Sequence, residues 1–221
     1  MFIKTTVFKR LLKQAYKRDL LQVGHEDNTN IYYIVGDYWA VMVEAKFFTN
    51  SAKAALVELI GDLPKNESVR IYSDGTRQQL IDDSTWFALA LQEPEKYLEK
   101  TNLLVEEEKF GVLSRLFSTG EKLIPVNEGL YSLIDEEAKT SDDLDIIGPY
   151  KTLLSGHMIM WKNNTSTVGL SPRVWNDDGE LMEQLKELEQ LKRFGGVNGK
   201  KSLPFVDAGG RQNRIKAAGQ E

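Results

Sequence analysis

MFIKTTVFKRLLKQAYKR, residues 1–18, carries six basic side chains (Lys4, Lys9, Arg10, Lys13, Lys17, Arg18) and no acid. Thr5 or Thr6 is placed to cap a helix in which Val7, Phe8, Leu11, Leu12, Ala15 and Tyr16 share one apolar face and the cations share the other. The chain as a whole has a formal charge of −5, so removing six positive charges leaves −11 on the residues after Arg18. A basic helix on an acidic body is suited to face a polyanion, while the rest of the surface repels it.

Working outward, the segment Leu20 to Gly24 reads as a strand, His25 to Asn30 as a turn, and Ile31-Tyr32-Tyr33-Ile34-Val35 as a second strand. Gly36-Asp37 turns the chain into Tyr38–Phe48, where Trp39, Val41 and Val43 alternate with Ala40, Met42 and Glu44. Asn50 or Ser51 caps a helix through Ala55, Leu56, Leu59 and Ile60, which Gly61 and Pro64 stop. Ser68–Tyr72, the turn Ser73-Asp74-Gly75 and Thr76–Ile81 form a hairpin around an Asp-Gly turn. Asp82 to Lys100 is a connector with one or two short helices, broken by Pro94.

The order then repeats. Phe110, Leu113 and Arg115 follow Phe8, Leu11 and Lys13 at a constant offset of 102, which predicts a second helix carrying Lys109 and Arg115. Leu130–Ile134 echoes Ile31–Val35, Tyr150–Ser155 falls where the other helix is expected, and Met158–Leu170 mirrors the hairpin. Leu181, Leu185, Leu188 and Leu191 predict a further helix from Glu180 to Phe194. From Gly195 onward the chain is rich in glycine and basic residues and is expected to be a disordered tail. Its one apolar island holds Leu203, Pro204 and Phe205, the pattern of a short linear docking motif.

These segments predict an α+β fold of two similar subdomains, each an antiparallel sheet with packed helices. The boundaries fall at 1–100 and 101–176, followed by a helix at 177–194 and the tail at 195–221. No window approaches eighteen consecutive apolar residues and charges interrupt the N-terminus, so neither a membrane span nor a signal peptide is expected and the protein reads as cytoplasmic. With no cysteine, thiolate chemistry and disulfides are excluded. His25 and His157 both adjoin glycine and read as structural or surface histidines. The common nucleotide-binding, hydrolase and metalloprotease motifs are missing. The acidic clusters Asp82-Asp83, Glu106-Glu107-Glu108, Asp142-Asp143 with Asp145, and Asp177-Asp178 read as turns and caps, with no metal or cofactor expected.

In element order, size and charge placement, Met1 to Val174 resembles the processivity-fold domains of DNA sliding clamps. The resemblance implies a non-enzymatic factor whose helices line a central hole and whose two-domain chains close as trimers. It implies duplex DNA as partner for Lys4, Lys9, Arg10, Lys13, Lys17 and Arg18 in the first half and for Lys109 and Arg115 in the second. Replication or repair proteins would be recruited as well. Three other readings stay open. One is an accessory protein that binds single-stranded nucleic acid through basic residues and aromatics such as Tyr32, Tyr33, Tyr38 and Trp39. Another is an acidic inhibitor of a DNA-binding host enzyme, and the last is a carboxylate metal enzyme using Asp142, Asp143 or Asp145.

Overall fold

The amphipathic pattern of the N-terminus produces helix α1, Thr5–Lys17, which buries Phe8, Leu11, Leu12 and Ala15. It begins at Lys4 without a side-chain cap, so neither threonine fills the capping role expected of it. The structure is a computed structural model that describes residues 1–80, 94–107, 111–138, 145–152, 158–173, 203–206 and 212–217. The expected helix at Glu180–Phe194 lies outside the described residues.

After α1 come strands β1 (Leu21–Glu26), β2 (Ile31–Val35) and β3 (Trp39–Glu44), then helix α2 (Asn50–Ile60) and strands β4 (Glu67–Ile71) and β5 (Arg77–Gln79). Thr49, one residue earlier than expected, caps α2 by accepting the Ala52 amide at 3.3 Å, and Gly61 ends it at φ +74°. The rest comprises β6 (Lys96–Tyr97), β7 (Glu99–Glu107), β8 (Val112–Ser118), β9 (Leu123–Asn127), the one-turn helix α3 (Glu128–Tyr131), β10 (Ile147–Lys151), β11 (Ile159–Lys162), β12 (Ser166–Leu170), β13 (Leu203–Val206) and β14 (Gln212–Ala217). The fold is therefore mixed, rich in sheet and poor in helix among the described residues.

Two compact units result: Met1–Lys96 with Ser132–Ser171, and Tyr97–Tyr131 with Pro172–Glu221. The sequence had suggested breaks near residues 100 and 176. The first unit holds a nine-stranded sheet in the order β5-β4-β1-β2-β3-β12-β11-β10-β6. From β5 through β10 every neighbouring pair is antiparallel. Its β3 is buried on both faces. Trp39, Val41 and Val43 alternate toward the helices, with Phe8 meeting Trp39 edge-on at 5.8 Å and Phe48 at 6.4 Å. Ala40 and Met42 face the other way, in a cluster with Tyr33, Val35, Tyr150, Met158 and Met160. Burying each large apolar side chain of this kind contributes roughly 1.5–3 kcal/mol.

Close packing also explains one glycine. Gly24 is the cross-strand partner of Tyr33, and a Cβ at this position would lie 1.9 Å from Tyr33 Cζ, so the tyrosine ring occupies the space a side chain would need. At the chain start, Ile3 bridges Ile134, with Lys4 N–H donating to Leu133 O at 2.8 Å and Asp135 N–H to Phe2 O at 2.9 Å.

The second unit carries a five-stranded antiparallel sheet, β13-β14-β7-β8-β9. Across the two units the expected repeat departs from the structure in three places, and the expected tail departs in a fourth. The segment read as a second basic helix is strand β8: Gly111 at φ +60° lets β7 return on itself, and Val112 then pairs with Glu107. Leu130–Ile134, expected as a strand, is the end of α3 and a turn, because Asn127 Oδ1 accepts the Gly129 amide at 2.8 Å and starts a helical turn. Tyr150 and Lys151 belong to strand β10, with Tyr150 buried opposite Met160, where a helix was expected. Finally, the tail expected to be disordered contributes β13 and β14, the latter paired to β7 over Asn213–Ala217. The hairpin at Met158–Leu170 forms as expected, with Asn163 Oδ1 accepting the Thr165 and Ser166 amides at 3.0 Å.

Candidate nucleic-acid interface

An α-helix turns about 100° per residue, so Arg10, Lys13 and Lys17 fall on one line along α1. All three are exposed, as are Lys4 and Arg18, while Lys9 is half-buried at the flank. Lys17 occupies the last turn, where the helix dipole favours a cation. Arg18 follows as the C-cap residue, its N–H donating to Ala15 O at 3.2 Å.

The helix is tied down at its C-terminal end from two sides. Tyr16 Oη donates to Ser73 O at 3.1 Å, and Asp19 Oδ1 accepts the Ser73 amide at 2.6 Å, so both backbone groups of one turn residue are held. Asp19 adopts φ +58° to reach it, a conformation more readily tolerated by Asp and Asn than by most residues. On the other side, the Arg18 guanidinium forms an ion pair with Asp37 in the β2–β3 turn. The Ser73 turn is itself braced by Asp74, which accepts from the Thr76 amide at 2.8 Å and hydroxyl at 2.7 Å. Those bonds hold the Asp74 carboxyl below its ordinary range.

Helix α2 packs beside α1. Its Lys53 is turned inward, donating to Ala45 O at 2.9 Å and lying over the Phe48 ring. Its Glu58 stands 3.9 Å from Lys13 Nζ. Asp37 and Glu58 are countercharges to the basic helix that sequence reasoning missed, since each arrives from a distant element.

Arg115 is placed differently. Within β8 its Nε and a terminal nitrogen donate to the two carboxylate oxygens of Glu128 at 2.9 and 2.7 Å, and its guanidinium lies 5.0 Å from the Tyr131 ring. Its side chain is only 13% exposed, so its charge is directed into its own unit. Lys109 lies outside the described residues. Leu203, Pro204 and Phe205 stand in β13, opposite Ile215, Arg214 and Asn213 of β14, at the margin of the sheet. Proline is at home on such an edge, where its missing N–H removes nothing from a ladder.

His25 is enclosed by local partners. Its Nδ1 lies 3.1 Å from Asp27 Oδ1 and 3.4 Å from the Asn66 amide, its Nε2 lies 3.2 Å from Asn30 Oδ1, and its ring rests on Tyr32 at 4.3 Å. Burial and the Asp27 carboxylate together raise the Tyr32 phenol above its usual range. His157, Asp142 and Asp143 lie outside the described residues, and Asp145 is exposed. Among the described residues no three metal-ligating side chains converge, and no helix is long and apolar enough to cross a membrane.

No family model matches the chain, and no curated protein matches it. A crystal structure from Eubacterium rectale ATCC 33656, provisionally assigned as a DNA polymerase III beta subunit, is similar to 96% of this chain and 81% of its own at 11% identity, with a TM-score of 0.29.

Proposed function

We propose that this chain is a non-enzymatic DNA-associated factor that holds the duplex backbone against the solvent face of α1, as a clamp-like processivity or scaffold protein. One observation carries the reading: a helix anchored by Phe8, Leu11, Leu12 and Ala15 presents Arg10, Lys13 and Lys17 in line, flanked by Lys4, Lys9 and Arg18, on a chain of net charge −5. Phosphate contact needs positive charge on a firm support and no base-specific chemistry. The acidic remainder limits binding to this one face. Recruitment of replication or repair proteins through Leu203, Pro204 and Phe205, and closure of three chains around DNA, belong to the same proposal.

The test is fluorescence anisotropy with a labelled duplex over a range of salt. Association should weaken steeply as salt rises, by about 0.9 in log–log slope for each phosphate neutralised. Replacing Lys9, Arg10, Lys13 and Lys17 together by glutamate should abolish it while the circular dichroism spectrum stays unchanged. Retention of binding by that variant would refute the proposal. Light scattering then decides assembly, a mass of three chains supporting a ring and a mass of one chain opposing it.

A further inference from the structure

Of the four aromatic residues in and beside strands β2 and β3, three are packed: Tyr33 and Trp39 are buried, and half-buried Tyr32 lies against His25 and Phe48. Tyr38 is 54% exposed. It sits in the tight turn where Gly36 N–H donates to Trp39 O at 2.9 Å, and its own carbonyl accepts the Ser171 amide at 2.9 Å. The backbone carrying this ring is therefore fixed on both sides. Its neighbour Asp37 is the residue that ion-pairs with Arg18 at the end of the basic helix. Tyr38 thus follows, at one Cα step of about 3.8 Å, the residue on which the cationic line terminates.

A tyrosine on a fixed turn offers a flat apolar surface with few rotamers to lose on binding. Beside a run of cations that hold phosphates, the group such a surface fits is a nucleobase, because every base has a π-face and stacking requires no particular sequence. In a continuous duplex those faces are already covered by neighbouring pairs. We propose that Tyr38 stacks on an unpaired base of the same nucleic acid whose phosphates α1 contacts, so that the site distinguishes a duplex with a single-stranded extension from a blunt one. The inference rests on the phosphate-binding reading of α1.

Two labelled DNAs with equal numbers of phosphates, one blunt and one with a single-stranded overhang, are titrated with the full-length chain. The wild type should bind the overhang more tightly. Tyr38→Ala should lose about tenfold on the overhang and less than about twofold on the blunt duplex, and Tyr38→Phe should match the wild type on both. Abasic residues in the overhang should lower wild-type affinity to that of Tyr38→Ala, a comparison that requires no variant to fold. Equal loss on both DNAs, no loss with Tyr38→Ala, or indifference to abasic substitution would overturn the stacking role. Salt-dependent binding lost on charge reversal of α1 but untouched by Tyr38→Ala would overturn stacking alone. No binding of either DNA by the wild type would overturn both readings.

Discussion

Lys13 and Glu58 face each other from α1 to α2, Nζ 3.9 Å from Oε1, with side chains 57% and 68% exposed. An ion pair this open to water contributes at most about 1 kcal/mol to folding. Its larger effect is on the potential at the helix, where the carboxylate offsets one of the three cations in line. Glu58→Gln should therefore tighten duplex binding by about twofold to fivefold at low salt, the gain shrinking as salt rises. Its melting temperature should stay close to that of the wild type, as read by circular dichroism.

Arg115 should behave in the opposite way. Removing it leaves the half-buried Glu128 carboxylate without its two-point partner, so Arg115→Ala should destabilise the chain by about 1–3 kcal/mol in urea unfolding. The salt slope of DNA association should not change. A stable Arg115→Ala variant with a shallower slope would return this residue to the DNA-contacting set.

The pH dependence of the Ser73 turn follows from Asp74. Its carboxyl is depressed by hydrogen bonds from Thr76, so ionisation is favoured in the folded state. The stability it contributes is complete above the ordinary carboxylate range and is lost as pH falls through the depressed folded-state value. Asp74→Ala should therefore show a smaller loss of stability on acidification below about pH 4 than the wild type. Unfolding curves collected from pH 6 downward measure the difference, and parallel curves would show that the turn does not titrate.

Deleting residues 203–221 should expose the β7 edge that β14 covers from Leu103 to Glu107. Unpaired strand edges invite pairing with other chains. The truncated protein should melt at a lower temperature and self-associate with rising concentration, measured by light scattering. An unchanged melting temperature and mass would show that the C-terminal strands add nothing to the sheet.

The first eighty residues were legible because each signal there is local and redundant. An eighteen-residue amphipathic stretch, a strand pair at Ile31–Val35 and Trp39–Glu44, and an Asp-Gly turn each specify their element without outside help. In the second half one spacing fits two structures. Phe110 and Leu113 lie three apart, as on a helix, yet Gly111 breaks the segment and buried Ser114 and Leu116 alternate as on a strand. Strand β14 was illegible because its apolar content is confined to Ile215 and Ala217 near the end of the tail; its partner β7 lies about a hundred residues away. The register there pairs Glu106 with Arg214 and Glu107 with Asn213 within a ladder, where the acidic cluster had read as a turn or cap. For the candidate site, the cations could be read from spacing alone. Asp37 and Glu58 could not, since their nearness to α1 is created by tertiary packing.

Ser73 donates its amide to Asp19 and accepts from Tyr16, and those two contacts keep α1 from rolling about its own axis. The backbone that carries its positive charges is thus set in place within the fold. In the proposed DNA-binding role, the ordering left to be lost at the moment of capture is that of the lysine and arginine side chains alone.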